Sequence, residues 1–136
     1  MIISPIVDFL QALEQKLLEL DIVDNVKMIS QIDGLKGFNG YAIAYELLGD
    51  QNYKDRKGIH ETPVLLNLYS NVDNGDVAVL WLREQVIDLL DESELVSDVI
   101  KTYMIKYIGG NPRPERNSYL QAWQCVAQFL IRWEGL

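Results

Sequence analysis

One alternation near the C-terminal end restricts the fold more than any other feature. Trp123, Cys125, Ala127, Phe129, Ile131 and Trp133, with Tyr119 upstream on the same parity, alternate with Gln124, Val126, Gln128, Leu130, Arg132 and Glu134. Successive side chains of a strand point to opposite faces, so a period of two predicts a long β-strand with an aromatic-rich buried side. That side needs a second layer over it. The opposite parity is mixed rather than strongly polar, as expected of a face that is moderately wet or meets another chain.

The remaining segments supply neighbours and a covering layer. Ser4-Pro5 is a helix start, because the serine hydroxyl accepts from a free backbone N–H and proline at the first helical position sacrifices none. Ile6, Phe9, Leu10, Leu13, Leu17 and Leu20 then form one apolar stripe, mostly opposite Asp8, Gln11, Glu14, Gln15 and Glu19, which predicts a helix over 5–20. A short strand centred on Val26, Met28 and Ile32 precedes the turn residues Gly34, Gly37, Asn39 and Gly40. A second strand over 41–48, with Tyr41, Ile43, Tyr45 and Leu47 on one parity, fits better than a helix, the alternative that Ala42, Ala44, Glu46, Leu47 and Leu48 keep open. Residues 50–61 are polar and aperiodic and are predicted as a long loop. Pro63 opens residues 64–69, apolar on both parities apart from Asn67, as expected of a central or near-central strand.

Asn71, Asp73, Asn74, Gly75 and Asp76 supply turn and cap chemistry before a helix over 76–92, marked by Val79, Leu82, Val86, Leu89 and Leu90. Its exposed side is expected to carry Glu84, Asp88, Asp91 and Glu92 against Arg83. Residues 99–108 suit a strand that Gly109 and Gly110 stop, and 109–118, with Pro112 and Pro114, reads as a second loop. The order helix, three strands, helix, two strands predicts a single α+β domain over all 136 residues. It is expected as a two-layer sandwich. A mostly antiparallel sheet of about five strands carries two helices on one face, and the second helix provides the one crossover.

Charge and rare residues limit the chemistry. Twelve Lys and Arg stand against twenty Asp and Glu, a net charge of −8, whereas phosphate-binding proteins carry a basic surface. Nucleic acid is therefore not the expected main partner. Cys125, the one cysteine, cannot close an internal disulfide, and a zinc site with His60 as the one histidine would need carboxylates or a second chain. No metal and no cofactor is expected. No apolar run approaches the roughly 18 residues of a membrane span, and the first residues lack a basic leader region. The chain is expected to be soluble, and intracellular or part of an assembly built inside a cell.

Candidate sites are few. His60-Glu61 is the one seed of general-base chemistry, yet adjacent residues usually point apart, which favours a solvated loop pair. The segment from Gly34 to Gly40 has neither phosphate-loop spacing and reads as a turn or hairpin connection, and no serine lies in a G-x-S-x-G elbow. Glu84, Asp88, Asp91, Glu92, Glu94 and Asp98 lack the order of a calcium loop and read as a solvated face open to a basic partner. Residues 99–116 hold four Lys and Arg against Glu115 alone, with Arg113 between two prolines and Arg116 just beyond, a local basic spot and a candidate docking loop for an acidic neighbour.

The Ser4-Pro5 helix opening, the strand Tyr41-Ala42-Ile43-Ala44-Tyr45 after a Gly-rich turn, the run from Thr62 to Tyr69 leading into a helix, and the closing Phe129-Leu130-Ile131-Arg132-Trp133 strand form a layout over most of the chain. That layout resembles the tail terminator (tail completion) proteins of tailed bacteriophages. The resemblance implies a structural virion protein with no catalysis, forming a ring, typically a hexamer, at the head-proximal end of the tail tube. It further implies assembly in the host cytoplasm, contacts with tube, sheath and neck or connector proteins, and DNA passing through without specific binding. A ring needs two different patches per subunit. The expected interface residues are Glu84, Asp88, Asp91 and Glu92 on one side, Arg113 and Arg116 on the other, and Arg132 on the last strand. The alternatives are another head–tail connector, a small enzyme seeded on His60, or an adapter domain.

Overall fold

The computed structural model describes residues 5–53 and 56–136, and their side chains outside 51–57. Helices α1 (Pro5–Leu17) and α2 (Gly75–Leu90) lie against one sheet. Its strands are β1 (Val23–Met28), β2 (Tyr41–Leu47), β3 (Gln51–Tyr53), β4 (Arg56–Ser70), β5 (Ile100–Gly109), β6 (Glu115–Asn117) and β7 (Ala122–Gly135). The main path runs β1-β2-β4-β7-β5, with β3 beside β4 and β6 beside β7. This is the expected α+β two-layer sandwich with a mostly antiparallel sheet.

The first strand departs from expectation. Ile32 lies in a 3-10 segment, Ile29–Leu35, rather than in a strand, and β1 pairs with β2 in parallel. Parallel neighbours cannot be joined by a hairpin, so the glycine-bearing connection over 29–40 is a second crossover beside α2. Gly37 and Gly40 turn it, with φ of 78° and 101°.

Both predicted loops contain strand. β2 and β3 run in line along β4, and the register passes from Leu47↔Val64 to Gln51↔Glu61 across a short break. Pro63 accounts for the break. Leu48 N–H donates to the Pro63 carbonyl at 2.9 Å, so the proline nitrogen, which has no hydrogen to give, also faces β2 and β3. A proline in a central strand is thus accommodated where its neighbour is interrupted. Residues 54 and 55 of the predicted loop lie outside the described residues.

β5 and β6 repeat the arrangement on the far side of β7. Gly109 pairs with Gln128 and Glu115 with Gln124, and residues 110–114 bulge out between them. Gly109 and Gly110 start the bulge at φ of 116° and 108°, values that other residues rarely adopt. Asn111 keeps it on the sheet, its carbonyl accepting from Val126 N–H at 3.3 Å.

The main core lies between helices and sheet. Phe9, Leu13 and Leu17 of α1 and Val79, Leu82, Val86 and Leu90 of α2 close on Ile43 and Tyr45, on Val64, Leu66 and Leu68, and on the buried parity of β7 from Cys125 to Trp133. Tyr119 is instead exposed in the turn before β7. Tyr45 donates its hydroxyl to Glu14 of α1, and burial, followed by that carboxylate, pushes the phenol above its ordinary value. Asn74 starts α2 in the left-handed conformation, its carbonyl accepting from Val77 and Ala78 while its side chain makes no cap bond.

The second face of the sheet is divided. Over one half, Leu35, Phe38 and Leu120 pack on Ala42, Ala44, Ala122 and Tyr69, where small alanines leave room for the larger side chains. Buried Asn67 is satisfied there, donating to the Ala44 carbonyl at 3.2 Å and accepting from Gln124 at 3.1 Å. Over the other half Pro63, Leu65, Met104 and Leu130 are only half-buried.

A Cβ on Gly75 would sit 2.8 Å from Trp123 Cδ1 and 3.1 Å from the Ser70 carbonyl, so Gly75→Ala is expected to lose about 1–2 kcal/mol in urea unfolding despite alanine's helix propensity of about 1 kcal/mol. Burial pushes the Cys125 thiol from 9.0 up to about 11, opposed by the charge of Arg83. The folded chain then holds a proton that the unfolded chain releases, so this contribution is intact below pH 9 and is lost as pH rises towards 11. Equilibrium unfolding at successive pH values is expected to show a shallower decline over that range for Cys125→Ala than for the native chain.

Candidate functional site

Helix spacing puts Val77, Trp81, Glu84 and Asp88 on the outer stripe of α2, all exposed, with the Trp81 ring tilted on Tyr41 at 5.8 Å. Arg83 does not join that stripe. It turns to the sheet, where Nε donates to the Val126 carbonyl at 2.8 Å and Nη2 to the Tyr107 hydroxyl at 2.5 Å, clamping α2 to β7 and β5. Asp91 also faces inward, its Oδ1 accepting from Tyr107 N–H at 2.8 Å. Glu92, exposed, donates its backbone N–H to the Ile105 carbonyl at 2.9 Å, and Leu95 N–H donates to Thr102 Oγ1 at 3.1 Å. The segment after α2 therefore covers much of the outer edge of β5.

Of the four acids expected at an interface, Glu84, Asp88 and Glu92 are exposed and Asp91 is engaged internally. Arg113 is exposed in the 110–114 bulge, and Arg116, exposed on β6, has its guanidinium 5.9 Å from the Trp123 ring. Since the Trp123 ring also borders Gly75, Arg116 lies at the N-terminal end of α2, and Glu92 lies beyond the other end. Sixteen helical residues separate these ends by about 24 Å. Arg132 belongs to neither group. It stands on the second face of the sheet, where Nη2 meets Glu61 at 2.9 Å across β4 and β7.

His60 and Glu61 point to opposite sides of β4, as adjacent strand residues must. His60 is not a solvated loop residue: it lies in a strand, its side chain 18% exposed, and its ring stacks on Trp133 at 4.3 Å. Phe9 stacks on Trp133 at 4.7 Å. Asp50 receives His60 Nδ1 at 2.7 Å and the Thr62 hydroxyl at 2.7 Å, while Thr62 Oγ1 accepts from Trp133 Nε1 at 3.0 Å. A carboxylate on one imidazole nitrogen is the way a general base is oriented. The Thr62 hydroxyl in this cluster is already both donor and acceptor, and the arrangement fastens the turn at Asp50 to β4 and to the core. Asp50, Thr62 and Trp133 were not legible as His60 partners, because they meet through strand register that sequence spacing does not give.

Among the described residues no group of three or more His, Cys, Asp or Glu side chains is placed to hold a metal ion, and no helix is long and apolar enough to cross a membrane. The chain matches no protein-family model and no curated protein sequence.

Thr62→Val keeps the shape of a wholly buried side chain while removing the acceptor of Trp133 and a donor to Asp50. The expected loss is about 1–3 kcal/mol in chemical denaturation, with Thr62→Ser retaining most of the stability.

Proposed function

We propose that this chain is a ring-forming structural subunit of the tail terminator kind, closing a phage tail tube and joining it to the neck. The observation that carries the reading is the second face of the sheet. One half is sealed by its own small core, whereas Pro63, Leu65, Met104 and Leu130 present a half-buried apolar strip beside the Glu61–Arg132 pair. A strip of that composition, rimmed by charge, is the form of a protein-docking surface, and the proposal assigns it to the tube or neck neighbour. The leading helix, the second helix after β4 and the long last strand support the resemblance in layout. The charge of −8 suits a channel past which DNA slides without sticking.

The test is the absolute mass of the purified chain across dilution by light scattering on a sizing column, with negative-stain images of the same fractions. Rings, either free or formed on added tail tubes, are the expected result. A species that stays monomeric in both settings overturns the proposal. The surface assignment has its own check: Leu65→Glu combined with Leu130→Glu is expected to leave rings intact and abolish their joining to tubes.

A further inference from the structure

We infer that successive copies of this chain join head to tail by seating the Pro112-Arg113-Pro114 bulge of one copy in the groove between α1 and residues 96–99 of the next. The inference rests on the ring reading above and names its lateral contact. The groove, about 350 Å³, is lined by Asp8, Gln11 and Gln15 of α1 and by Val96, Asp98 and Val99. Val96 is 74% exposed and Val99 43%, and neighbouring Leu136, whose backbone N–H donates to the Val99 carbonyl, is 76% exposed. An apolar ridge stands here beside two carboxylates, Asp8 and Asp98, and among the described residues the lining holds no basic side chain.

The bulge has the complementary character. Arg113 is exposed between two proline rings, which fix the local backbone so that little conformational freedom remains to be lost on docking. Arg113 N–H donates to Asn111 Oδ1 at 2.9 Å, and Asn111 is itself tied to β7, so the arginine projects from an anchored base. Its guanidinium matches the two carboxylates, and the proline rings match Val96 and Val99. The two patches lie apart on each copy. The bulge flanks β7 at Val126 and the groove adjoins its end at Leu136, ten residues or about 33 Å further along the strand. One copy cannot fill its own groove, and where each pair of copies makes this contact once, in one direction, the two unlike patches generate a ring or a filament.

The experiment compares the native chain with Arg113→Glu, with Asp8→Arg plus Asp98→Arg, and with all three substitutions combined, by light scattering across dilution, using far-UV circular dichroism to confirm folding. Either reversal alone is expected to raise the concentration needed for assembly by at least about tenfold, and the combination to restore it, because every contact then meets reversed charge on both sides. Native rings that persist unchanged through both reversals overturn this contact and leave the ring reading standing. Losses that the combination does not repair overturn the pairing of these two patches. A native chain that forms no ring, alone or on tail tubes, overturns both.

Discussion

The pairing of β4 with β7 is the constraint on which the rest of the structure depends. It runs without interruption from Ile59↔Glu134 to Ser70↔Trp123, and every other strand of the main path attaches to one of these two, directly or through β2. Because side chains alternate along both strands, this single register sets Leu66, Leu68, Phe129 and Ile131 towards the helices and Leu65, Asn67, Gln128 and Leu130 away from them. A slip by one residue would exchange those sets. Trp133 holds the register at one end by stacking against Phe9 and His60 and by donating to Thr62. At the other end Trp123 fixes the start of α2 through the closeness of Gly75.

The two faces of that pair have different energetic roles. Towards the helices, burial is nearly complete, and each large apolar side chain there contributes about 1.5–3 kcal/mol. Polar groups enter that side only where they are satisfied, as at Thr62 and Tyr45. On the opposite face the chain covers what it can with a 3-10 segment and two turns. Tyr119 donates its hydroxyl to Asp33 and holds Lys36 above its ring, so segments far apart in sequence are tied together over the alanines. The cover stops short, and Pro63, Leu65, Met104 and Leu130 stay half-buried beyond it.

Much of the fold was legible because long elements announce themselves. The alternation from Trp123 to Trp133 and the apolar run after Pro63 became strands, and the stripe from Ile6 to Leu20 became a helix that ends at Leu17, three residues before the predicted 20. What escaped was governed by partners instead of by local pattern. β3 and β6 are three residues each and exist because β4 and β7 extend past the core with edges to pair. The parallel pairing of β1 was hidden because nothing in 23–32 states the direction of its neighbour. At the candidate site, the exposure of Glu84, Asp88, Glu92, Arg113 and Arg116 agrees with expectation, while Asp91 and Arg83 show why charge alone misleads. A carboxylate just past a helix and an arginine within one can serve the backbone of their own sheet as readily as a partner.

The bulge at 110–114 separates two properties that are usually linked, the length of a connection and the alignment of the strands it joins. β5 is bound to β7 before it and β6 after it, so residues added or removed between Gly110 and Pro114 would leave both ladders in step. Reach and chemistry at that tip can therefore change by insertion, deletion or graft while the layers beneath keep their geometry. Such a segment is an adjustable spacer, free to vary in length without any change to the core.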